Sequence, residues 1–144
     1  MARKTLKDSG YILEMEFSLE CMRRGAQVSQ PIGDNAHYDL IVEVSNKLYK
    51  VQIKSASIDK DDKNKYWINT TRKVPQVNGA SSMSVPYTKE EIDIIIGFAK
   101  GKWYFFDDVE NMPSMATVYP DAPKEESYKW NAFEGDWFKI GLDT

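Results

Sequence analysis

Tyr38-Asp39-Leu40-Ile41-Val42-Glu43-Val44 and Leu48-Tyr49-Lys50-Val51-Gln52-Ile53-Lys54 decide how this 144-residue chain is read. Both runs are rich in β-branched and aromatic residues, and Ser45-Asn46-Lys47 joins them. They predict an antiparallel hairpin over Tyr38 to Val44 and Leu48 to Ser57. Gln52 and Lys54 are two apart on a strand, so they face the same side. With Asn46 and Lys47 as a two-residue turn, Asp39 stands opposite Lys54 and Gln52 becomes its diagonal neighbour. A three-residue turn without a bulge would break that parity.

An acid, an amide and a lysine on one face of two adjacent strands are the parts needed to hold a divalent cation beside a phosphodiester. Hydrolysis of that bond requires charge neutralisation on the phosphate, an oriented water and a stabilised leaving oxygen. Hard oxygen donors suit Mg²⁺, which keeps several waters and takes one or two carboxylates from protein. Asp39 can supply a carboxylate. The Gln52 side chain and the Ile53 backbone carbonyl can add neutral oxygens. Lys54 can hold the attacking water or stabilise the charged phosphorane.

A helix from about Asp8 to Arg24 precedes these strands, with Thr5 or Asp8 as its cap and Gly25 past its end. Glu16, Glu20 and Arg23 fall within about 60° of one another on a helical wheel and form a wet face. Leu13, Phe17 and Cys21 form one apolar stripe; Ile12, Met15, Leu19 and Met22 form another. Glu14 lies roughly 150° from the wet face, on the side expected to be covered, where it can point into the same corner as Asp39. The bland alternatives are structural: a helix acid in an ion pair, an Asp39–Lys54 pair that only satisfies burial, and a solvent-facing Gln52.

Farther along, a short strand is expected near Ala26 to Ser29, a loop over Pro31 to His37, a lysine-rich bend from Asp59 to Lys65 and a strand around Tyr66 to Thr70. Residues 71–86, with Asn, Gly, Ser and two prolines, read as a long polar loop. Thr88-Lys89-Glu90-Glu91 has the form of a capping box. Strands follow at Ile92 to Phe98 and Lys102 to Phe106, turning at Lys100-Gly101. From Asn111 the periodicity is lost. The tail's Tyr119, Tyr128, Trp130, Phe133, Trp137 and Phe138 point to packing rather than disorder.

Composition narrows the function. With 42% hydrophobic residues, the chain suits one soluble domain. No apolar run approaches the ~20 residues of a membrane span. Met1 to Asp8 lacks the apolar segment of a signal peptide, so a cytoplasmic location is expected. Cys21 and His37 are each the only residue of their type, which excludes an intrachain disulfide and a two-histidine metal site. Gly97-Phe98-Ala99-Lys100-Gly101-Lys102-Trp103 fails as a P-loop: its glycines are one residue too close, and Trp103 stands where Ser or Thr is required. Residues 1–73 hold 13 Lys+Arg against 10 Asp+Glu, whereas residues 74–144 hold 6 against 12. A phosphate-facing surface should therefore draw on the first half. Arg72 and Lys73 open the polar loop without acidic neighbours and are candidates for DNA contact, with Lys65 beside them. Lys60, Lys63 and Lys65 are interleaved with Asp59, Asp61 and Asp62, which favours a solvated bend over a phosphate patch.

Ser9-Gly10, Glu14, Arg24-Gly25, Gly33-Asp34-Asn35-Ala36, Tyr38-Asp39-Leu40-Ile41-Val42 and Val51-Gln52-Ile53-Lys54 together resemble the PD-(D/E)XK nuclease superfamily. The closest likeness is to its group I intron-encoded homing endonucleases, and Tyr87-Thr88-Lys89-Glu90-Glu91-Ile92-Asp93 fits that branch too. The resemblance covers about residues 9–57 and 87–106. It implies a restriction-endonuclease-like α/β fold, a mixed β-sheet flanked by helices. A nuclease core is accordingly expected over 1–110, and the aromatic content of 111–144 points to an extension that packs on the core or on another subunit.

By the same resemblance, Glu14, Asp39, Gln52 and Lys54 fall on catalytic positions, with Glu14, Asp39, Gln52 and the Ile53 carbonyl around Mg²⁺ (or Mn²⁺ as substitute). The implied activity is site-specific cleavage of double-stranded DNA to 5′-phosphate and 3′-hydroxyl ends. The implied assembly is a homodimer or homotetramer in a bacterial or phage-infected cell. Gln52 departs from the superfamily's usual Asp or Glu and removes one negative charge from the site. A Holliday-junction resolvase and an inactive DNA-binding or assembly subunit are the alternative readings.

Overall fold

The computed structural model describes residues 6–76, 79, 81–124 and 128–143. Thr5, one of the two expected helix caps, lies outside them. The chain begins with α1, Leu6–Arg23. A Schellman motif ends it: Ala26 N–H donates to the Cys21 carbonyl at 3.0 Å and Gly25 N–H to that of Met22 at 3.0 Å. Gly25 takes φ +99°, a conformation that costs a residue without Cβ nothing.

The central sheet runs in the order β1 (Gln27–Ser29), β2 (Leu40–Val44), β3 (Lys47–Ser55), β8 (Ile94–Ala99), β9 (Lys102–Phe106). The β3–β8 pair is parallel and the others are antiparallel, as a mixed sheet requires. Ile94-Ile95-Ile96 runs through β8 buried on both faces, the composition of a central strand.

Leu40, Val42, Val51, Ile53, Ile94 and Ile96 face α1, meeting Leu13, Phe17 and Cys21. Ile95, Tyr104 and Phe106 face the other way, onto a second sheet of order β10 (Met115–Val118), β5 (Tyr66–Asn69), β4 (Ser57–Ile58). The core is thus the mixed α/β sheet the sequence implied. Among the described residues it has one α-helix, and strands cover the face opposite it. No described helix is long and apolar enough to cross a membrane.

Two details depart from the sequence reading. The stretch 71–86 contains a two-stranded hairpin, β6 (Thr71–Val74) with β7 (Met83–Pro86). Its strands are four residues each, too short for their alternation to register among Pro, Gly and Ser. Of the two apolar stripes on α1, only Leu13-Phe17-Cys21 is buried; Ile12, Met15, Leu19 and Met22 remain exposed.

The last third of the chain folds over the same core. Beyond β10 come 3-10 helices at Lys129–Phe133 and Trp137–Ile140. Trp137 stacks on Phe17 with centroids 5.5 Å apart, and Trp130 and Phe133 meet Phe106 edge-on. Buried Asn131 bonds both backbone groups of Tyr119, which pins this segment to the end of β10.

Candidate active site

The hairpin between β2 and β3 turns through Ser45 and Asn46, both at positive φ (50° and 68°), as a type I′ turn demands. The turn is one residue earlier than the sequence reading placed it. The paired residues are Val44 with Lys47 through Leu40 with Val51. Carried one step on, this register sets Asp39 opposite Gln52 and leaves Lys54 on the diagonal. A shift of two residues preserves parity, so all three stay on one side of the sheet.

Asp39 sits where the ladder frays. Its N–H still donates to the Val51 carbonyl at 2.8 Å. Its carboxylate then takes over as acceptor, and Ile53 N–H donates to Oδ2 at 2.9 Å. Burial pushes the Asp39 carboxyl above its ordinary value, and the Ile53 N–H and the Lys54 charge only partly offset it. Glu14 reaches the same place from α1. Desolvation first, and the neighbouring Asp39 charge second, push its carboxyl up to about 7. Both acids wall one cavity of about 420 Å³, with Tyr11, Tyr38, Gly33 and Asp34.

Lys54 stands diagonal to Asp39 on β3. Its ammonium donates to the Thr71 carbonyl at 3.1 Å and lies 5.4 Å from the centroid of the Tyr87 ring. Burial holds it below the usual lysine value, against the pull of Asp39. Gln52 turns its Nε2 toward the Ile53 carbonyl at 3.5 Å, which leaves Oε1 as the atom available to a ligand. The structure thus gathers Glu14 with Asp39 and Asp39 with Lys54. Gln52 and Lys54 line the strand beside the cavity rather than its wall.

Among the described residues, no three His, Cys, Asp or Glu side chains gather where they could hold a metal ion. A cation at this corner would rest on two carboxylates, with neutral oxygens and water completing its shell. That donor set is the one a hard, strongly hydrated cation accepts. Two carboxylates desolvated side by side, both pushed toward protonation, also form a site that a positive charge would relieve. The residues therefore fit a divalent ion.

Lys73, Lys65 and Arg72, the candidates for DNA contact, lie in different settings. Lys73 is exposed and bonds Ser84 across the β6–β7 hairpin at 2.7 Å. Lys65 lies 4.3 Å over the Trp67 ring. Arg72 points inward and pairs with Glu91 at 2.7 Å. The sequence reading did not foresee the Tyr87 ring beside Lys54 or the pairing of Arg72 with Glu91. The capping box and the Tyr87–Asp93 stretch pointed to Glu91, whose Oε1 does accept from Thr88 N–H at 2.9 Å.

The sequence model of the PD-(D/E)XK endonucleases matches residues 4–128, most of the chain. The chain belongs to the PD-(D/E)XK endonucleases. No curated protein matches the sequence significantly. The fold is that of a bacterial homing endonuclease, I-Ssp6803I, with a TM-score of 0.81. At 21% identity, that match covers 94% of this chain and 93% of the other. PD-(D/E)XK nucleases generally use divalent metal ions, in keeping with the donor set at Glu14 and Asp39.

Proposed function

We propose that this PD-(D/E)XK endonuclease is a site-specific, Mg²⁺-dependent DNA endonuclease of the homing type. One observation carries the reading. Two desolvated carboxylates, Glu14 and Asp39, wall one cavity while the Lys54 ammonium is held beside Asp39. The homing character is supported by a likeness to I-Ssp6803I that spans nearly the whole of both chains.

Asp39 and Glu14 would hold the ion, with the Gln52 side-chain oxygen and the Ile53 carbonyl as neutral donors. When bound, the cation offsets negative charge building on the phosphate. The remaining work belongs to the chain. The Ile53 N–H holds the Asp39 carboxylate in place. Lys54, partly stripped of water, offers its ammonium to the charged phosphorane or to the attacking water. Glu14, the second carboxylate at this corner, would orient the attacking water. Mn²⁺ would serve in place of Mg²⁺. Lys65 and Lys73 would meet backbone phosphates, and Arg72 would stand at the same edge. A dimer or tetramer would bring two such corners to the two strands, within a bacterial or phage-infected cell.

The test is Lys54→Ala on a linear duplex selected for cleavage from a randomised library. Cleavage should fall by at least about 100-fold, with duplex affinity changed less than about threefold. A variant that still cuts would overturn the reading. Faster cutting of four-way junctions than of any linear duplex would turn it toward a resolvase. If no metal makes the unmodified protein cut, a binding or assembly role replaces it.

A further inference from the structure

Glu91 lies in the turn before β8 and contributes nothing to the cavity, yet two segments that flank the catalytic corner converge on its carboxylate. From the hairpin side, Arg72 Nη2 meets Glu91 Oε2 at 2.7 Å. From the loop that carries Gly33 and Asp34, His37 Nε2 lies 3.4 Å from the same oxygen. The other oxygen, Oε1, is occupied by Thr88 N–H. Glu91 is largely enclosed, and Arg72 is partly buried, with its Nε buried and without a partner among the described residues. Removing Glu91's charge would leave a partly desolvated guanidinium without its ion-pair partner, and the hairpin would move to rehydrate it.

Arg72 is the chain neighbour of Thr71, whose carbonyl accepts the Lys54 ammonium at 3.1 Å. Thr71 is itself tied down: its N–H and Oγ1 both donate to Asn69 Oδ1, at 2.9 and 2.7 Å. Tyr87, four residues before Glu91, presents the ring that flanks the same ammonium. A short chain of contacts therefore runs from Glu91 through Arg72 and the Thr71 carbonyl to Lys54 Nζ.

We propose that Glu91 is a positioning residue, which acts through Arg72 to hold the β6–β7 hairpin against the corner and so aims the Lys54 ammonium at the reacting phosphate. The proposal rests on Lys54 having the role given it above. It assigns Arg72 to catalytic geometry rather than to DNA affinity.

Glu91→Gln removes the charge that Arg72 needs while its side-chain oxygen still accepts from Thr88 N–H. Arg72→Gln breaks the same pair from the hairpin side. Each full-length variant, checked for folding by circular dichroism, is tested with Mg²⁺ on the selected duplex. Affinity is measured separately without the metal. The single-turnover rate at saturating DNA should fall about 10- to 100-fold in both variants, with affinity within about threefold of the parent. The double variant should be no worse than either single, because the two residues act as one unit. An unchanged rate in a folded Glu91→Gln overturns the proposal. So does a loss confined to affinity in Arg72→Gln, which would make Arg72 a phosphate contact. Should Glu91→Gln fail to fold, Arg72→Gln decides alone. Failure of Lys54→Ala to stop cleavage would sink the reading of the site itself. A dead Lys54→Ala beside a fully active Glu91→Gln would sink only this step.

Discussion

Glu14 shows how much chemistry a single position can hold. Its carboxyl titrates near 7 because burial and Asp39 both oppose its charge. The ordinary value of this carboxyl, taken for the unfolded chain, is 4.5. The group therefore contributes stability that is fully present below about pH 4.5 and lost as pH rises through about 7. Metal-free protein should melt at a lower temperature at pH 8 than at pH 5. Glu14→Gln should flatten that slope, and added Mg²⁺ should raise the melting temperature most at the alkaline end. A melting temperature independent of pH across that window would refute the assignment. The side shared by Asp39 and Lys54 was readable, because moving a two-residue turn by one residue shifts the register by two and keeps parity. Arg72 was not readable in the same way. Its partner Glu91 lies 19 residues away, and their meeting depends on where the hairpin docks.

The strands were legible by their β-branched and aromatic content, down to the three-residue β1 and the four-residue β5. The runs at 38–44, 48–57, 92–98 and 102–106 found their places in the central sheet, since each carries enough β-branched and aromatic residues to bury on at least one face. The β6–β7 hairpin and β10 were not: their four-residue strands are flanked by proline, and they lack the Tyr-Trp-Ile run that made the equally short β5 readable. How the two sheets join was also hidden, although Gly97 held the clue. A Cβ there would lie 2.5 Å from Ile68 Cδ1 and 3.0 Å from its Cγ2. Gly97 thus gives β5 room to settle on the central sheet at the strand position paired with Lys54. Gly97→Ala should cost about 1–3 kcal/mol in urea unfolding through overpacking. Combining it with Ile68→Val, which removes the nearest methyl, should recover part of that loss. A fully additive double variant would show that the two residues do not share this space.

Across the whole molecule, α1 and the C-terminal segment share one aromatic core, although most of the chain lies between them. Phe17 is completely buried, enclosed by Trp103, Phe105 and Trp137. Arg24, just past the end of α1, lays its guanidinium 4.0 Å over the Trp137 ring and bonds the Asp143 carbonyl at 2.9 Å. The tail's aromatic content signalled packing, but only the folded chain shows that α1 is among its partners. This matters for function because α1 carries Glu14 three residues before Phe17. The tail thus steadies the helix that brings one of the two acids to the cavity. Trp137→Ala should cost about 3–5 kcal/mol, since it removes a large buried ring that the surrounding aromatics cannot collapse to replace. A midpoint unchanged in urea would mean that the tail merely rests on the core. If α1 depends on that ring, hydrogen exchange should also show faster opening around Leu13 to Cys21 than in β8, whose neighbours on both sides are strands.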